Sequence, residues 1–99
     1  MESLDYVRGD SLARAQRFEP AKLAFQREIA AFPRNRQAYS TLAVLYGLGG
    51  DRRAVYGLLN EMYAQIPTRS TAEHAAEILE RFGDGRGAAE WRAQALRTP

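Results

Sequence analysis

His74 is the only histidine of this 99-residue chain, and Glu73 and Glu77 lie next to it at helical spacing. One imidazole and two carboxylates could hold a cation weakly, but a metal site needs about three or four converging ligands with a supporting outer shell. The same two carboxylates could serve as acid and base only in a cleft that raises the pKa of one of them, and nothing in the sequence marks such a cleft. Ser40 and Ser70 have no base and orienting acid nearby to activate a hydroxyl. With no cysteine in the chain, thiolate catalysis and disulfides are excluded. The stretches Gly47-Leu48-Gly49-Gly50 and Gly83-Asp84-Gly85-Arg86-Gly87 are glycine-rich, yet neither follows a strand or precedes the Lys-Ser/Thr of a phosphate-binding loop. They read as turns. Tyrosines and phenylalanines at helical spacing read as buried helix faces, not as a cofactor box. No cofactor, no metal and no enzymatic activity are expected.

The elements that position these residues are helical. Alanine is abundant, Val, Ile and Thr form no strand-like runs, and Lys22 is the only lysine against thirteen arginines. Ala, Leu, Arg, Gln and Glu are good helix formers. The length bounds the chain to one domain near the lower limit of independent stability. The net charge of +2 is dispersed, and Arg52-Arg53 is the longest basic run, so the clustered basic face of a nucleic-acid binder is missing. Arg34, Arg36, Arg52, Arg53 and Arg69 fall at expected turns and read as solubilising residues. No apolar run approaches the roughly 18 residues of a membrane span, and Met1-Glu2-Ser3 does not open a secretory signal. The compartment is unmarked: the cytoplasm is the default, and the periplasm is the alternative if the chain is part of a larger exported protein.

Pro33 and Pro67 lie 34 residues apart, closing the phrases FQREIAAFP and LNEMYAQIP. The same interval pairs Ala21 with Val55, Phe25 with Leu59 and Ile29 with Tyr63. An interval of 33 pairs Gly50-Asp51 with Gly83-Asp84, and Tyr39, Leu42, Ala43 and Tyr46 with Ala72, Ala75, Ala76 and Leu79. Three copies of one helical hairpin are expected, over about 2–35, 36–69 and 70–99. In the middle copy Asn35 is placed to cap a helix from Arg36 to Leu48, which Gly49-Gly50 ends. Asp51 caps the second helix, whose inner face carries Val55, Leu58, Leu59, Met62 and Tyr63, and Pro67 stops it. In the third copy Ser70 and Glu73 have the spacing of a capping box. Asp84 then starts a last helix through Trp91 to about Arg97. In the first copy Glu19-Pro20 opens a helix, preceded by a less regular helical stretch over 3–16.

Tyr39, Leu42, Ala43, Tyr46, Gly50, Asp51, Leu59 and Pro67 together resemble the tetratricopeptide repeat (TPR). The likeness covers roughly residues 3–97, with one strong copy between two degenerate ones. Val55 and Met62 stand where the family has small alanines, so their neighbours must compensate. Trp91 falls one position short of the usual aromatic site. The resemblance implies an all-α, right-handed superhelix of three antiparallel hairpins forming a single domain. It also implies a concave groove lined by the first helix of each hairpin, and hence a module that binds a protein or peptide.

By the same resemblance the groove positions are Tyr6, Asp10 and Arg14 in the first copy and Gln37, Ser40, Thr41, Val44 and Leu48 in the middle copy. In the third copy they are Glu73, His74, Glu77 and Glu80. Members that grip a C-terminal carboxylate carry Lys and Asn where Ser40 and Val44 stand, so that activity is not expected. Asp10 and the three glutamates imply a preference for a basic or amphipathic segment; the alternative is that the glutamates form a solvated helix face beside Arg81. A second functional reading rests on exposed stack ends: a homo-oligomer, or an appended docking, regulatory or self-associating segment of a larger protein, an enzyme among the options. An RNA-binding repeat is the minor alternative; such proteins work as long arrays.

Overall fold

The computed structural model describes residues 18–99, in which five α-helices follow one another: α1 (Phe18–Ala31), α2 (Arg36–Leu48), α3 (Arg52–Gln65), α4 (Arg69–Arg81) and α5 (Gly85–Arg97). The helical stretch expected over 3–16, with Tyr6, Asp10 and Arg14, lies outside the described residues. Helices α2 and α3 form one hairpin and α4 and α5 the next, while α1 packs on α2. Helix α4 also lies against α2 and α3, which stacks one hairpin on the other. The fold is all-α and repeat-like.

The two hairpin turns are built alike. Gly50 and Gly83 have φ of 81° and 77°, the left-handed backbone that favours glycine. At the first turn Gly50 N donates to Gly47 O and Asp51 N to Tyr46 O (3.0 and 2.9 Å). At the second, Gly83 N donates to Glu80 O and Asp84 N to Leu79 O at the same distances. This pairing occupies the free carbonyls of a helix end. The aspartate that closes each motif then opens the next helix: Asp51 accepts from Ala54 N at 3.1 Å and Asp84 from Gly87 N at 2.9 Å. The Gly-Asp pairs thus both end one helix and begin another, as their spacing predicts.

Two caps differ from expectation. Asn35 stands at the N-terminus of α2, but its side chain makes no cap bond. Its amide instead donates to the Glu28 carboxyl of α1 at 2.9 Å, where a buried polar group needs a partner. The Ser70–Glu73 capping box does not form. Thr68 caps α4, accepting from Thr71 N at 3.1 Å from the extended backbone that follows Pro67. Ser70 lies inside the first turn, where its hydroxyl accepts from Arg36 of α2.

The core runs through the stack as two joined clusters. One gathers Tyr39 and Ala43 of α2, Val55, Leu59 and Met62 of α3, Ala75, Ala76, Ile78 and Leu79 of α4, and Ala88 of α5. The other joins Ala21 and Phe25 of α1 to Ala38, Leu42 and Leu45 of α2. Ile29, Tyr46 and Leu58 pack against both. Val55 and Met62 are buried in spite of their size, offset by the alanines at 75, 76 and 88 in the same cluster. Trp91 meets Tyr63 edge-on, with ring centroids 5.5 Å apart, and so ties α5 to α3 of the preceding hairpin from its shifted position.

Candidate functional site

Helices α2 and α4 run side by side and leave a concavity of about 460 Å³ between their outer faces. Residues one helical turn apart line each wall: Arg36, Gln37, Ser40, Thr41 and Val44 from α2, and His74, Ile78 and Arg81 from α4. Val44 supplies its accessible apolar surface, and the edge of the buried Ile78 lies at its floor. Ile78 is otherwise a core residue, so the site is continuous with the rigid interior.

Hydrogen bonds tie the two walls together. Arg36 Nη1 donates to Ser70 Oγ at 2.9 Å. The Ser40 hydroxyl gives its hydrogen to the Arg36 carbonyl at 3.2 Å, so His74 Nε2–H is the donor in the short contact between His74 and Ser40. Thr41 is turned back onto its own helix, donating to Gln37 O at 3.0 Å. His74 is half-buried, and its pKa is held below the ordinary value first by that burial and then by the Arg36 charge. Glu77 opposes the shift, and Arg81 adds to it. An imidazole lowered in this way is neutral at neutral pH.

Five of the sequence-derived groove residues, Gln37, Ser40, Thr41, Val44 and His74, come together here. Leu48 lies beyond it at the end of α2, 61% exposed. The glutamates do not gather in it. Glu73 and Glu77 line a separate concavity with Arg69 of α4 and Arg92, Ala95 and Leu96 of α5. Glu80 forms an ion pair with Arg92 at 2.5 Å, which holds its carboxyl below the usual range. The reason is the helical screw: 73 and 80 fall on the side of α4 turned toward α5, whereas 74, 78 and 81 fall on the side turned toward α2. The charge of the α2–α4 concavity is therefore set by Arg36 and Arg81. Both arginines were passed over in the sequence, Arg36 as a turn residue and Arg81 as a companion of the glutamates. Their spacing from Ser40 and His74 is the signal that places them on the same wall. Among the described residues no group of three or more His, Asp or Glu side chains is placed to hold a metal ion. No described helix is long and apolar enough to cross a membrane.

Two crystal structures of MamA share this architecture, each with a TM-score of 0.69 at 20% sequence identity over 94% of the present chain. The fold is TPR-like. The match takes in 55% of one MamA chain and 51% of the other, so the present chain spans about half the length of MamA. At this identity the likeness is one of fold. No protein-family model matches the sequence, and no curated protein matches it.

Proposed function

We propose that the chain is a protein-interaction module that binds a peptide segment of a partner in the concavity between α2 and α4, and that it is not an enzyme. The observation that carries this reading is the concavity itself: the half-buried Val44, over a floor that reaches Ile78, bordered by polar side chains on two helices held in register by interhelical hydrogen bonds. Preformed apolar surface with a few placed polar groups is what peptide recognition requires. The TPR-like fold supports a scaffold role. The basic segment expected from Asp10 and the three glutamates is not favoured by this concavity, since Glu73 and Glu80 turn toward α5 and Glu77 borders both sides, while an amphipathic segment fits it. Protein rather than nucleic acid is the proposed partner, because Arg52, Arg53 and Arg69 are dispersed at helix starts and form no continuous basic face.

Selection from a peptide-display library against the full chain, followed by NMR shift mapping of the selected peptides, tests the reading. Shifts should centre on Gln37, Thr41, Val44, His74 and Ile78. Val44→Trp, which places a bulky ring in the concavity, should weaken binding by about tenfold or more while leaving the helical circular dichroism unchanged. Shifts confined to other faces would overturn it.

A second reading is favoured by the far end of the stack. The concavity beside Leu96, itself 79% exposed, presents Arg69 and Arg92 next to Glu73 and Glu77. Mixed charges around an exposed leucine suit docking of a further helix, from a second copy or from a companion domain. Sedimentation over a concentration series, compared with Leu96→Asp, tests it: association lost in the variant supports this reading, and a monomer at every concentration overturns self-association.

A further inference from the structure

The α2–α4 concavity carries more positive than negative charge at its walls. The Arg36 guanidinium uses one N–H on Ser70, and the rest of its donors remain for a ligand. Arg81 lines the same concavity without an ion-pair partner among the described residues. The charged groups facing His74 are Arg36 from α2 and Glu77 and Arg81 from its own helix. Glu77 lies at the rim and also borders the neighbouring concavity, beside Arg69 and Arg92. Two arginine forks and an imidazole around the apolar Val44 fit a carboxylate carried by an otherwise apolar segment.

Resting on the peptide-binding reading above, we propose that this concavity recognises an acidic side chain of the bound segment, an Asp or Glu whose carboxylate is held between Arg36 and Arg81 with His74 as a further donor, while an apolar neighbour packs on Val44. Binding is then linked to a proton. Burial and the Arg36 charge keep His74 neutral; a carboxylate brought beside the ring favours the imidazolium. The bound state therefore holds more protons than the free state, and affinity rises as pH falls.

The test uses the full chain and three fluorescent peptides of alternating leucine with glutamate, glutamine or lysine, read by anisotropy. The glutamate peptide should bind about tenfold more tightly than the glutamine peptide, the range for charge-assisted hydrogen bonds. Arg36→Gln and Arg81→Gln should each bring it toward the glutamine level; retained binding of the glutamine peptide shows that these variants are folded. Affinity for the glutamate peptide should increase from about pH 7.5 to about pH 5.5, the window of histidine protonation, and His74→Gln, which keeps a donor for Ser40, should flatten that dependence. Amidation of the peptide C-terminus should change nothing; a gain confined to free C-termini would overturn the side-chain assignment. Equal binding of glutamate and glutamine peptides, or tightest binding of the lysine peptide, would overturn the acidic-segment proposal and leave the peptide-binding reading standing. No binding by any of the three, together with failure of the library selection, would remove both.

Discussion

A methyl group at position 47 would overlap the Phe82 ring, which lies over the Gly47 backbone where α2 passes the turn after α4. Phe82 packs, half-buried, against the larger core cluster, so displacing its ring loses that packing. Gly47→Ala is therefore expected to destabilise the fold by about 1–3 kcal/mol, the usual cost of overpacking, as a lower urea midpoint with unchanged slope. Asp84 works at the same turn through its charge. It accepts a short hydrogen bond from the Tyr56 hydroxyl of α3 as well as the Gly87 amide. The Tyr56 bond, then the Gly87 bond, hold its carboxyl below the usual range, and the same contact raises the Tyr56 phenol. A depressed folded pKa contributes stability above the unfolded value, near 4, and that contribution is lost as pH falls through the folded pKa. Tyr56→Phe should be less stable than the native chain near pH 6 and approach it only as pH falls from about 4 through the depressed folded pKa of Asp84, as followed by urea unfolding down through that range. Parallel curves would show that Tyr56 does not set the charge of Asp84.

Helix boundaries were legible where backbone chemistry allows one solution and illegible where two side chains compete. Gly50-Asp51 and Gly83-Asp84 leave little choice, since a left-handed residue followed by a strong cap can only turn the chain and restart it. At the start of α4 two hydroxyls are available. Ser70 has the better local signature with Glu73, yet Thr68 is the cap, because Arg36, 34 residues earlier, occupies Ser70 from α2. Asn35 is likewise drawn from its cap by the buried Glu28. Both departures are tertiary contacts that a local pattern does not contain. The candidate site divides in the same way. The α2 wall follows from repeat spacing, but the parting of Glu73 and Glu80 from His74 and Arg81 depends on how α4 is rotated between α2 and α5. Thr68→Ala should accordingly cost about 1 kcal/mol, as for loss of a helix cap, while Ser70→Ala should cost less and leave the helical content of α4 intact. Amide exchange at Thr71 reads the difference directly: it should quicken in the Thr68 variant only.

Across the molecule, stability depends on whether the two core clusters act as one. Stacked repeats contact only their neighbours, so coupling between distant hairpins passes through shared interfaces. Here Ile29, Tyr46 and Leu58 belong to both clusters, and Tyr39 and Ala43 carry α2 from the first interface to the second. The only tryptophan, Trp91, is in α5 and reports on the last hairpin, while Phe25 is fully buried against α2 in the other cluster. Phe25→Ala removes a large core side chain, a loss of about 3–5 kcal/mol, against a total of roughly 5–15 kcal/mol for a domain. If the shared residues couple the clusters, Trp91 fluorescence should register this distant change by a lower urea midpoint that coincides with the circular-dichroism transition. An unshifted Trp91 transition in the variant would mean that the α4–α5 hairpin unfolds independently of α1. The same coupling bears on recognition, since the α2–α4 concavity spans the junction between hairpins. A ligand that bridges it stabilises the stack as a whole, so a bound peptide should raise the Trp91 midpoint of the native chain and of Phe25→Ala alike.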